Sequence, residues 1–140
     1  MPPEPMSAAE LLEARNVMFW STAAFARLAS ASPRKAGRWL SGKAPVPDAI
    51  TAHVRLVVAF HRANLRPTPE DGAADVMMAG ELHTAAAAIG WNVLALGRRL
   101  GIRHGEAAQL WASDAPMPPP MAGYLRRLAS WHAAHPWPSI

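Results

Sequence analysis

Shifting the chain by 71 residues lays residues 6–69 on residues 77–140 without a gap, and 16 of the 64 aligned positions are identical. The identities are Met6/Met77, Ala8/Ala79, Glu10/Glu81, Leu11/Leu82, Ala14/Ala85, Trp20/Trp91, Ala24/Ala95, Arg27/Arg98, Ala36/Ala107, Ala44/Ala115, Pro45/Pro116, Pro47/Pro118, Arg55/Arg126, His61/His132, Ala63/Ala134 and Pro67/Pro138. Alanine is common enough here to produce some matches by chance. The paired tryptophans, prolines, arginines and histidines are not of that kind. An apolar stripe repeats as well, Ile50, Val54 and Val57 answering to Met121, Leu125 and Leu128. A fixed period of this length is the mark of a duplicated structural unit. The expected domains are residues 1–69 and 70–140.

Each unit reads as a run of short helices between proline stops. The chain has 14 prolines in 140 residues, about twice the usual share. They separate alanine-rich stretches with helical spacing and without the alternation of β-branched residues that a strand requires. The spacing predicts helices over 7–18, 22–30, 33–41 and 48–64, then over 78–89, 93–101, 104–113 and 119–134. Ser7 with Glu10 reads as a capping box. Ser21 and Asn92 read as N-caps, and Pro33 suits a first helical turn. Residues Leu65–Ala74 (LRPTPEDGAA) read as the linker. Units of about 70 residues bury only about 60% of their unfolded surface. Six tryptophans are more aromatic bulk than two such cores need, so the halves are expected to pack on each other, on a second chain, or both.

Composition narrows the function classes. There is no cysteine, hence no disulfide framework, thiolate metal site or cysteine nucleophile. No stretch approaches about 18 consecutive apolar residues, and the MPPEPMSAAE start lacks the charge and apolar run of a secretory signal. A cytoplasmic, nucleoid-associated location is expected. No phosphate loop, GxSxG or HExxH motif occurs, so neither an enzyme nor a cofactor is expected. His132 and His135 stand at metal-ligand spacing, but no third ligand lies near them in sequence. The net charge of +4 and the pI of about 10.7 favour nucleic acid as partner.

The location of that charge is more informative than its total. In FARLASASPRKAGRWLSGKAPVP (25–47), Phe25, Ala26 and Ala29 fall on the inner face of one short helix. Ser30 and Ala31 make a tight turn, and Ala36 and Trp39 fall on the inner face of the next helix. In LGRRLGIRHGEAAQLWASDAPMP (96–118), Leu96, Gly97, Leu100, Gly101, Ile102, Ala107 and Leu110 fill the matching places. Gly101 sits at the turn, where glycine most easily takes a positive φ. Two short helices joined by a three- to four-residue turn have helix-turn-helix spacing. Residues 28–47 and 96–118 resemble the small helix-turn-helix domains of the Cro and lambda-repressor type, Arg38–Gly42 and Pro45–Pro47 matching a pattern of bacterial and phage members. The resemblance implies an all-α fold of two tandem four-to-five-helix units. It also implies a transcriptional regulator that binds double-stranded DNA in a sequence-specific way, usually as a dimer.

The copies differ in charge. Residues 27–43 hold Arg27, Arg34, Lys35, Arg38 and Lys43 with no acid, whereas 98–114 hold Arg98, Arg99 and Arg103 against Glu106 and Asp114. Trp111 lies one residue further from its turn than Trp39, and Asp114 stands where the family pattern ends in glycine. If the resemblance holds, the helix beginning near Ser32 reads base edges. Arg34, Lys35 and Arg38 then donate to guanine or to phosphate. Lys43 suits a phosphate, as do the backbone N–H groups of the helix starting at Thr22. In the second copy the candidates are Arg103, His104 and Gln109. Glu106 either accepts from cytosine N4 or is a solvated helix residue. Trp39 and Trp111 are expected in the core, Tyr124, Trp131 and Trp137 at an interface, and His61 and His132 at helix ends or in packing. The alternative function is a protein-interaction module on the same fold, docking polymerase, a phage or host defence component, or a toxin.

Overall fold

A computed structural model describes residues 2–112 and 116–139. It is all-helical. The described residues form α1 (Ala8–Val17), α2 (Thr22–Leu28), α3 (Pro33–Ser41) and α4 (Asp48–Arg62), a 3-10 turn (Pro69–Ala73), then α5 (Ala79–Ile89), α6 (Val93–Leu100), α7 (His104–Ala112) and α8 (Pro119–Ala134). No strand occurs among them. Met77 and Met117 make one isolated antiparallel bridge. No helix among them is long and apolar enough to cross a membrane.

Local chemistry explains where the helices start. The hydroxyls of Ser7, Ser21 and Ser32 accept from the backbone N–H of Glu10, Ala24 and Lys35 at 3.0, 3.0 and 3.1 Å. The Asn92 side chain does the same for Ala95 at 2.9 Å. Each bond satisfies a donor that the first turn leaves without a helical partner. The Glu10 carboxylate, expected to close a capping box, instead binds Arg55 of α4 through both oxygens at 2.8 and 2.9 Å. Pro47 and Pro118, both in extended backbone, set the chain into α4 and α8 without a side-chain cap.

The chain divides into two compact units, residues 1–63 with 137–140, and residues 64–136. This boundary lies six residues before the expected division at 69/70, and the last residues of the chain group with the first unit. The core of the first unit gathers Leu11, Met18, Phe25, Trp39, Ile50, Val54 and Val57. Trp20 stacks on Phe25 with centroids 5.8 Å apart, and Trp39 meets Phe25 edge-on at 6.1 Å. Trp137, expected at an interface, is half-buried in this unit, with its ring 5.7 Å from Trp20, 6.1 Å from Phe25 and 4.4 Å from His53.

The core of the second unit repeats the first with substitutions. Leu82, Ile89, Trp91, Leu96, Leu125 and Leu128 are buried at the positions of Leu11, Met18, Trp20, Phe25, Val54 and Val57. Left-handed backbone recurs at the same offset of 71 residues, Phe19 and Gly90 having φ of 54° and 91°, Ser30 and Gly101 of 56° and 70°. Arg126 grips Glu81 at 2.6 and 2.7 Å and donates to the carbonyls of Asp75 and Val76. Arg55 does the same with Glu10 and the carbonyls of Glu4 and Pro5. His61 and His132 are both buried.

Residues Leu65–Ala74 are a packed element and not the expected linker. Their 3-10 turn buries Asp71, whose carboxylate takes 3.1 and 3.0 Å bonds from Arg127 and a 2.7 Å bond from the Thr68 N–H. Arg127 also donates to the Asn64 side chain. Tyr124, expected at an interface, is fully buried and donates to the Asn64 carbonyl at 2.5 Å. α8 passes so close that a Cβ on Gly123 would lie 2.2 Å from the Asp71 carbonyl oxygen. Trp131 is half-buried and stacks on His135 at 4.2 Å.

Two predictions follow from this packing. Gly123→Ala drives a methyl into backbone and should cost about 2–3 kcal/mol in chemical denaturation. Ala52→Gly, at the matching exposed position of α4, should cost only about 1 kcal/mol of helix propensity. Hydrogen bonds from Arg55, Arg126 and Arg127 hold the Glu10, Glu81 and Asp71 carboxyls below their ordinary values of 4.5, 4.5 and 3.8. Their folded pKa values lie beneath the unfolded ones, so the stability they contribute is present at neutral pH and is lost as pH falls below about 4.5. Thermal melts should show the midpoint declining as pH falls below about 4.5.

Candidate nucleic-acid interface

In the first unit, α2 and α3 meet through small residues. Ala26, Ala29 and Ala36 are all buried, which leaves room for the two helices to cross closely. The N–H of Ala31 returns to the Ala26 carbonyl at 2.9 Å across the turn. Ser30 takes the left-handed conformation that reverses the chain, and Ser32 then caps α3. The second unit makes the same turn. Ile102 N–H returns to the Gly97 carbonyl at 3.1 Å, and Gly101 holds the left-handed position. A Cβ on Gly97 would lie 3.2 Å from the Ala107 Cβ, so α6 and α7 are at the limit of close packing.

Helix α3 buries Ala36 and Trp39 and turns its cations outward. Arg27, Arg34, Lys35, Arg38 and Lys43 are all exposed. Among the described residues none of the five forms an ion pair. Arg38 makes a long 3.5 Å bond to the Lys43 carbonyl, and the Lys35 ammonium lies 6.0 Å from the Trp39 ring centroid. Arg34, Arg38 and Ser41 recur at intervals of four and three, the spacing of one helix face. Other cations are engaged structurally. Arg55, Arg62, Arg126 and Arg127 pair with Glu10, Glu13, Glu81 and Asp71. Arg15 donates to the Thr22 hydroxyl at 3.0 Å. Thr22 is therefore half-buried with its hydroxyl engaged, and the Ser32 hydroxyl is spent on its own helix cap.

The matching face of α7 has another character. Arg103, His104, Glu106 and Gln109 are all exposed, but only the first carries a permanent positive charge. Positions 34, 35, 38 and 43 of the first copy correspond to Gly105, Glu106, Gln109 and Asp114, of which Asp114 lies outside the described residues. Arg98 is exposed. Arg99, counted from sequence among the surface charges, is 4% exposed, with its guanidinium carbon 4.8 Å from the Trp91 ring centroid. The repeat carried a signal for this, since Arg99 aligns with the apolar Leu28. Trp111, expected in the core, is only half-buried. Its ring sits 4.4 Å from that of His83, and its carbonyl accepts from His83 Nε2 at 2.6 Å. Leu110, at the place of Trp39, is also half-buried. It lines a shallow cavity of about 280 Å³ with Ile102, Glu106, Gln109, Pro118 and Met121.

The chain matches no protein-family model, no curated protein and no solved structure.

The two turns give a direct test. A non-glycine residue in left-handed backbone costs about 1–2 kcal/mol. Ser30→Gly should therefore leave stability unchanged or raise it by up to about 1 kcal/mol, whereas Gly101→Ala should lower it by about 1–2 kcal/mol. Urea unfolding of the two variants checks the opposite signs.

Proposed function

We propose that this chain is a transcriptional regulator that binds double-stranded DNA in a sequence-specific way through α3, with the first unit as the principal reader. The observation that carries the reading is the outward face of α3 with its flanks: five exposed cations, without an ion pair among the described residues, on and around the second of two short helices joined by a tight turn. Desolvating such a cluster without a counter-charge is costly. A polyanion supplies the counter-charge and gains from releasing its own condensed ions. On this reading Arg34 and Arg38 point into the major groove, where a bidentate arginine–guanine pair discriminates by about 1–3 kcal/mol. Lys35, Lys43 and Arg27 contact phosphates and fix register. The protein acts at the nucleoid, as a homodimer or through its two units in one chain.

A second reading applies to the second unit. The cations of α3 are replaced there by Gly105, Glu106 and Gln109, and the helix borders the shallow cavity lined by Ile102, Leu110 and Met121. An apolar hollow rimmed by Glu106 and Gln109 suits a protein partner better than a phosphate backbone. This unit is then an interaction module carried beside a DNA reader.

Fluorescence polarisation on duplex DNA between about 50 and 200 mM salt tests both. Three phosphate contacts, from Arg27, Lys35 and Lys43, give a log–log slope of about −2.7, at −0.9 per phosphate. Changing Arg34, Lys35 and Arg38 to alanine should abolish specific binding and leave helical circular dichroism intact. Changing Arg103 and Gln109 to alanine should weaken binding far less. A triple variant that binds like the parent overturns the reading of α3. A parent protein without salt-dependent binding leaves the interaction module as the function.

A further inference from the structure

Three glycines lie in helix interiors in this chain, and two are explained by packing. Gly97 faces Ala107 at a distance that leaves no slack, and Gly123 touches the Asp71 backbone. Gly37, the fifth of the nine residues of α3, is different. A Cβ built on it would meet nothing within 4 Å. It has no positive φ and abuts no neighbouring element. Gly80 and Gly105 also face open space, but they are second residues of their helices, where an intrahelical N–H bond is not yet required. Glycine in mid-helix is a poor helix former, and Ser32 and Pro33 show that this helix is otherwise well started. The fold gains nothing from Gly37 and is weakened by it.

Position 37 lies on the face of the exposed cations. Arg34, Gly37, Arg38 and Ser41 follow the i, i+3, i+4, i+7 spacing of a single helical stripe, and its other three members are exposed. We infer that Gly37 is a close-approach point, where the backbone of α3 seats against the floor of the major groove so that Arg34 and Arg38 reach base edges on either side. This inference rests on the DNA-binding reading and adds a positioning residue to it. A methyl group here would hold the helix away from the bases by about its own thickness. Phosphate contacts on long lysine and arginine stems tolerate such a shift, while bidentate base contacts do not.

The test uses the full chain with Gly37→Ala and Gly37→Met, measuring thermal midpoint, affinity for a selected duplex and for unrelated duplex, and salt slope. Gly37→Ala should raise the midpoint by about 3 °C. It should weaken specific binding by about tenfold, the scale of one lost base contact, with the salt slope and non-specific affinity unchanged. Gly37→Met should weaken specific binding further. If the parent binds its duplex and both variants bind equally well, the close-approach role is wrong while the DNA-binding reading stands. A lower midpoint for Gly37→Ala would show that the glycine serves the fold, and would also overturn the role. If the parent shows no salt-dependent duplex binding, the role falls together with the reading beneath it.

Discussion

Each unit is closed by one arginine. Arg55 and Arg126 reach from the last helix of their repeat to a glutamate on the first helix, and each spends its remaining N–H groups on backbone carbonyls just upstream of that glutamate. A guanidinium offers five donors in a fixed fork. It can therefore hold a carboxylate and two carbonyls at once, which fixes both the distance between the outer helices and the path of the chain entering the first. The α2–α3 and α6–α7 pairs lie between these outer helices in sequence. The two ion pairs are partly exposed, so their value is geometric before it is energetic.

Much of this was legible in the sequence because much of it is local. Serine and asparagine caps, a proline at a first turn and a glycine at a left-handed position act within four residues, and the helices begin and end close to where those signals stand. The repeat made the core legible too, since a buried position in one copy names its counterpart in the other. What was hidden depends on partners far apart in the chain. Residues 64–74 carry proline, aspartate and glycine and read as a loop by every local rule. They are a packed element because Tyr124, Arg127 and Gly123, more than 50 residues on, lock them to α8. Trp137 finds Trp20, Phe25 and His53 across most of the sequence. Glu10 stood at a capping-box position, and only Arg55, 45 residues away, decided otherwise.

The two copies depart from their common plan in opposite directions. At the left-handed positions the second copy has Gly90 and Gly101 where the first has Phe19 and Ser30. The second has a buried and fully paired Asp71 tied to its last helix. It has turned one arginine of α6 inward onto Trp91 and carries Glu106 and Gln109 where the first has Lys35 and Arg38. The glycines remove left-handed strain, and the inward Arg99 with Glu106 and Gln109 leaves the second copy with fewer outward cations.

The first copy keeps the costs. Two non-glycine residues sit in left-handed backbone, a glycine without a packing role weakens α3, and five cations crowd 17 residues with no acid among them. Local violations of this sort concentrate where a protein is shaped by a partner, because a chain selected for stability alone would remove them. Ser30→Gly, an alanine at position 37 and a single acid on α3 each lie one substitution from the present sequence. Gly37 and three of the five cations lie on α3, Ser30 stands in the turn before it, and Phe19 stands between α1 and α2. The second copy, with Gly90 and Gly101 at the matching places, shows that the same fold closes without non-glycine residues in left-handed backbone.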